Sequence, residues 1–135
     1  MTLERAVLTS VLRMTKDGYA QIEEISLDAR VPAQIVYRIM RKNSEKGIVK
    51  FEGKTVVMND EQRLKVAIQA IELGADLEHV CKLLEWNEFE DFSALAFENA
   101  DFSVKKHLRF KHLEKWLEID ILALKNPIVA SVDCK

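Results

Sequence analysis

A short stretch of this sequence carries Gln34, Tyr37, Arg38, Arg41, Lys42 and Lys46, with Glu45 as the opposing charge. Guanidinium and ammonium groups anchor phosphates, and arginine can also pair bidentately with a guanine edge. Gln34 and Tyr37 suit base or sugar contacts. Lys50 and Lys54 follow closely and suit contacts to a phosphate backbone. The chemistry implied is recognition of a polyanion. The competing reading is a solvated basic face used for protein contacts. A second group lies at the far end of the chain: Asp120, and the run Asp133-Cys134-Lys135. Each sits in an apolar, strand-like segment, and strand alternation puts Asp133 and Lys135 on one face.

The elements that must hold the basic group follow from periodicity. Leu3, Val7, Val11 and Met14 recur at helical spacing, widened by Leu8 and Leu12. Asp17-Gly18 stops that helix. After the short segment Tyr19-Ala20-Gln21, residues Ile22, Ile25 and Ala29 predict a second helix, broken at Arg30-Val31. Pro32 suits the first turn of a third helix, which buries Ile35, Val36, Ile39 and Met40 and exposes the basic group. Gly47 ends it. The period then becomes two: Ile48-Val49-Lys50-Phe51, a Gly53-Lys54 turn, and Thr55-Val56-Val57-Met58 read as a hairpin.

Further along, Asn59 or Asp60 caps a helix reaching Leu73, with Leu64, Ala67, Ile68 and Ile71 inside. Asp76 caps another with Leu77, Val80, Leu83 and Leu84 inside. Residues 59–85 thus read as a helical connector. Trp86 opens a third pattern, with Phe89, Phe92, Leu95, Ala96 and Phe97 inward. Residues 101–106 read as a strand and 107–116 as an exposed, charged connection. Two apolar strand-like runs, 117–124 and 128–135, flank Lys125-Asn126-Pro127. The fold class is α+β.

Bulk properties narrow the function classes. The 135-residue chain has a net charge of −2, which argues against coating nucleic acid by bulk charge. The charge is uneven: residues 1–58 hold ten Lys/Arg against seven Asp/Glu, and residues 59–135 hold ten against fifteen. A basic module joined to an acidic one fits docking by the first. Two cysteines without a Cys-x-x-Cys suit a reducing, cytoplasmic setting. Cys81 reads as a small core residue rather than a nucleophile. His79, His107 and His112 lack zinc-site spacing. No apolar run approaches the ~20 residues of a membrane span, and the N-terminus has no signal-peptide pattern.

Two resemblances carry the functional expectation. The stretch VPAQIVYRIMRKNSEKGIVKFEGKTVVM resembles recognition helices and wings of archaeal and bacterial winged helix-turn-helix domains, over residues 1–58. This implies DNA as partner, contacted by Gln34, Tyr37, Arg38, Arg41, Lys42, Lys46, Lys50 and Lys54. The stretch EIDILALKNPIVASVDCK resembles the metal-binding hairpin of the restriction-endonuclease-like, or PD-(D/E)XK, superfamily, over residues 86–135. That resemblance implies catalytic Asp120, Asp133 and Lys135, with the helical carboxylate matched by Glu90 in WNEFEDF, and Glu88 the lesser match. It implies Mg²⁺ or Mn²⁺ held by Asp120, Asp133 and the Cys134 carbonyl. Such an ion polarises a phosphoryl oxygen and acidifies water, and Lys135 would orient the attacking water or steady the transition state. The family continues beyond its Asp-x-Lys into a second helix and fourth strand. The expectation is therefore an N-terminal fragment with little activity. The alternatives are a winged-helix transcriptional regulator, homodimeric through its C-terminal region, and a protein-binding winged helix.

Overall fold

The computed structural model describes residues 3–126 and 128–132, the side chains of Phe110, His112 and Leu117 excepted. The chain forms two compact units, Met1–Glu85 and Trp86–Lys135. Its described residues form six helices and two three-stranded antiparallel sheets, an α+β architecture. No described helix is long and apolar enough to cross a membrane.

The first unit is built on α1 (Leu3–Met14). Val7, Leu8, Val11 and Leu12 are wholly buried. Each such side chain contributes roughly 1.5–3 kcal/mol. The ends of the expected stripe differ: Leu3 is exposed and Met14 half-buried. Gly18 turns the chain with φ +94, and its carbonyl accepts from the Met58 amide at 2.8 Å. Tyr19–Gln21 is a strand, β1. Three residues show no legible period; pairing makes this segment a strand. α2 (Ile22–Ala29) stops where Arg30 adopts a left-handed backbone, φ 57. Its Ala29 is half-buried rather than core. Pro32 is the N-cap of α3 (Ala33–Glu45) rather than a residue of its first turn. Val36 and Met40 are buried, while Ile35 and Ile39 are half-buried. β2 (Lys50–Glu52) and β3 (Thr55–Val57) form the hairpin. Gly53 at its turn has φ +64, which favours glycine. β3 lies between β1 and β2, antiparallel to both.

α4 (Asp60–Glu72) starts at a capping box of Asn59 and Gln62. Its interior face is rotated from the expected one. Arg63, Val66, Ala67 and Ala70 are buried, whereas Leu64, Ile68 and Ile71 are half-buried. The cause is Arg63. Its guanidinium donates to the Leu12 carbonyl (2.9 Å), the Thr15 hydroxyl (2.7 Å) and the Leu83 carbonyl (2.9 Å). Capped by Asp76, α5 (Leu77–Leu83) buries Val80 and Leu83. Leu77, expected inside, is 53% exposed. The residues expected as a connector belong to the first compact unit.

The second unit comprises α6 (Trp86–Asn99), β4 (Ser103–His112), β5 (Lys115–Lys125) and β6 (Ile128–Val132). The strands lie in the order β4-β5-β6. The expected connection at residues 107–116 is instead the end of β4, a tight turn and the start of β5. Its register holds from Ser103↔Leu124 to His112↔Lys115. Leu113 (φ 50) and Glu114 (φ 67) take the two left-handed positions of the turn, without the Asn-Gly pair that would signal it. Ala94 and Ile121 centre the core, with Phe89, Phe97, Val104 and Val132 packed around them. Ala96, expected inward, is exposed, and Phe92 and Leu95 are half-buried. The inner face of α6 carries Glu88 and Glu90 beside Ala94.

Replacing Arg63 with alanine strands buried acceptors, each costing about 1–3 kcal/mol. The expected outcome is a loss of about 3 kcal/mol or more in urea unfolding followed by helical circular dichroism. Wild-type stability in that variant would contradict a structural role for the guanidinium.

Candidate functional site

The basic side chains of the first unit share one surface. Gln34, Tyr37, Arg38 and Arg41 lie at i, i+3, i+4 and i+7 of α3, which places them on one helical face. All four are exposed, as are Lys42, Lys46, Lys50 and Lys54. The face is exposed because Val36 and Met40 claim the opposite side for the core. Tyr37 has a second task. Its ring lies 5.5 Å from that of Phe51 on β2, bracing the hairpin against α3. Lys42 stands 3.7 Å from Glu4, and Lys50 stands 3.7 Å from Glu52. At such distances an exposed lysine is held only weakly. Arg38 and Arg41 make no ion pair among the described residues.

The second unit gathers a different set. Glu90, His107 and Asp120 each offer one ligand atom, and these atoms lie within 4.8 Å of one another. Glu90 comes from the buried face of α6. Its side chain is 4% exposed, and its Oε1 lies 2.6 Å from His107 Nε2. Its Oε2 is buried with no hydrogen-bond partner among the described residues. A buried carboxylate oxygen left in this way is costly. His107 Nδ1 lies 3.3 Å from Glu118.

The strand distorts to bring His107 there. Lys106 pairs with Ile121 and Leu108 with Ile119, and the position between is skipped. His107 takes φ 54 at that gap. A left-handed non-glycine residue costs on the order of 1–3 kcal/mol and persists where surrounding contacts hold it. Here two carboxylates hold the ring. Lys106 pairs with Asp91 beside the cluster. Arg109 stands across from Glu118 in the register and lies over the Trp116 ring at 6.0 Å.

Of the carboxylates expected to act together, the structure brings Glu90 and Asp120 into one cluster. Asp133, Cys134 and Lys135 lie outside the described residues. Glu88 is buried too, but does not belong to the cluster. His107 was missed because residues 107–116 read as a solvated connection. The available signal was the alternation Phe102, Val104, Leu108, Phe110, interrupted by Lys106 and obscured by charges at 105, 109 and 111. Two carboxylates, one of them with an orphaned buried oxygen, fit the demand of a divalent cation for oxygen ligands.

Comparison of the chain with protein-family models, curated proteins and solved structures finds no match.

Cys81 is half-buried, and that burial pushes its thiol above the ordinary value. The thiolate is the reactive form, so a raised value slows its chemistry at neutral pH. Iodoacetamide labelling of Cys81 at about pH 7.5, read by peptide mass spectrometry, is expected to be slower in the folded chain than in urea. Faster labelling in the folded chain would mark an activated nucleophile instead.

Proposed function

We propose that the protein binds duplex DNA through its first unit, acting as a winged helix-turn-helix. We further propose that its second unit is restriction-endonuclease-like. The observation that carries the reading is the exposed basic face of α3 beside the β2–β3 hairpin. The order helix, strand, helix, helix, hairpin, with β3 between β1 and β2, supports it. In that architecture the last helix enters the major groove and the hairpin flanks it. Arg38 and Arg41 would then reach base edges or phosphates, with Gln34 beside them. Lys54 and Lys50 would touch the backbone, and Lys42 and Lys46 would extend the phosphate contacts.

The nuclease part of the reading is supported by the juxtaposition of Glu90 and Asp120 on the helix–strand–strand–strand unit. Mg²⁺ or Mn²⁺ held by these carboxylates would polarise a phosphoryl oxygen and acidify a water. Glu90, from the buried face of α6, would hold its share of the ion with little reorganisation. A transcriptional regulator dimerising through the C-terminal region is the second reading. It is favoured by apolar side chains on the second sheet: Trp116, Ile128 and Val129 are 66%, 53% and 67% exposed.

Fluorescence anisotropy with labelled duplex DNA at several salt concentrations tests the docking. Affinity should fall as salt rises, because each phosphate contact releases counterions. Arg38→Ala and Arg41→Ala should each weaken binding. Loss of a phosphate contact lowers the salt slope by about one, and loss of a base contact costs about 1–3 kcal/mol on preferred sequences. Salt-independent binding, or none, contradicts the docking reading. Nicking of plasmid DNA with Mg²⁺ or Mn²⁺ that is lost in Asp120→Ala and Lys135→Ala supports the nuclease reading. Cleavage that survives both changes removes the assigned site. A symmetric footprint without nicking favours the regulator.

A further inference from the structure

We propose that Glu90, His107 and Asp120 form a site for a first-row transition dication, from Fe²⁺ to Zn²⁺, with the His107 imidazole as the ligand that favours it over Mg²⁺. The proposal rests on reading this cluster as the metal centre of the second unit. It changes which ion that centre takes and adds a residue on β4 to its ligands.

Four observations carry it. The three side chains already converge, with one ligand atom of each within 4.8 Å of the others. Metal–nitrogen and metal–oxygen bonds of about 2.0–2.2 Å set neighbouring ligands roughly 3 Å apart. A modest closing of the cluster therefore seats an ion. Next, Glu90 is almost wholly buried and its Oε2 has no hydrogen-bond partner among the described residues. An incoming cation would satisfy that oxygen. Third, the two nitrogens of His107 face different groups. Nε2 points to Glu90 at 2.6 Å, and Nδ1 lies 3.3 Å from Glu118. A metal-binding histidine characteristically donates its other N–H to a carboxylate, which fixes the tautomer and makes the ligand nitrogen more basic. Glu118 stands in that position. Last, His107 has φ 54 in the middle of a strand, and this strained backbone accompanies the reach of its ring to Glu90. Imidazole suits zinc, nickel and iron, whereas Mg²⁺ prefers an all-oxygen shell.

Co²⁺ titrated into the full chain under reducing conditions is the probe, read by its visible d–d absorption. The expected result is saturable binding of one ion, displaced by Zn²⁺ but not by a large excess of Mg²⁺. His107→Gly tests the ligand, since glycine accepts the left-handed backbone. This variant and Glu90→Gln should lose the absorption band. Glu118→Gln should weaken Co²⁺ binding by about 10–100-fold, as removal of a supporting partner does. His79→Ala should leave it unchanged. Amide hydrogen exchange over α6, β4 and β5 reports whether each variant keeps the second unit folded. An unchanged Co²⁺ spectrum and affinity in folded His107→Gly overturns the proposal, as does equal competition by Mg²⁺. Mg²⁺-dependent cleavage with His107 irrelevant would sink this inference alone. Co²⁺ bound through His107, together with DNA nicking that survives Asp120→Ala and Lys135→Ala, would sink the nuclease assignment of this site alone.

Discussion

The Arg63 guanidinium reaches three oxygens that helix packing alone leaves without a helical partner. The last carbonyls of a helix have no donor of their own. Leu12 lies in the last turn of α1 and Leu83 ends α5, and both carbonyls accept from Arg63. The Thr15 hydroxyl accepts from the same side chain and itself donates to the Val11 carbonyl at 2.6 Å. One cation therefore meets the negative ends of two helices, where the helix dipole favours positive charge. A leucine there would bury equal volume and leave the oxygens stranded.

That contact fixes more than a helix end. Directly after Thr15, Gly18 reverses the chain into β1, and β1 is the strand on which β3 pairs. β3 in turn carries β2, and Phe51 of β2 meets Tyr37 of α3. The angle between the hairpin and the basic face of α3 thus depends on the end of α1. On the opposite side of α1, Ser10 donates to Asp28 at 2.7 Å, and Arg13 pairs with the same carboxylate. α2 is held there, and α3 follows it after one left-handed residue, Arg30. The surface on which the docking proposal depends is therefore positioned by buried polar contacts as much as by the apolar core.

What was legible in the sequence follows from which forces leave a local trace. The helices of the first unit were readable because Val7, Leu8, Val11, Leu12, Val36 and Met40 repeat with the helical period. The exposed basic face was readable as the complement of that pattern. The caps at Asn59 and Asp76 were readable because their chemistry is local. The interior place of Arg63 was not. An arginine in an amphipathic helix looks like surface until the oxygens it serves, 20 to 51 residues away, are brought together. β1 was unreadable for a related reason: three residues become a strand through a partner far along the chain. In the second unit, charged residues on β4 hid its alternation, and the Leu113-Glu114 turn lacks the residues that normally announce one. Glu90 and Asp120 were found through a resemblance. His107 needed the fold, because its role comes from a strand register and a backbone angle.

The two units solve the problem of buried charge in opposite ways. In the first, the buried guanidinium has acceptors in every direction that the hydrogen bonds describe, so it acts as structure. In the second, the buried Glu90 carboxylate has one oxygen satisfied by His107 and the other left without a hydrogen bond. Burying a carboxylate without full compensation is unfavourable, and a leucine on α6 would avoid the difficulty. The left-handed backbone at His107 adds to the cost rather than relieving it. A core that needed only stability would use neither feature. Strain and an unsatisfied acid at one point, beside Asp120, are the features expected of a place kept for a cation, where the missing partner arrives from outside the chain.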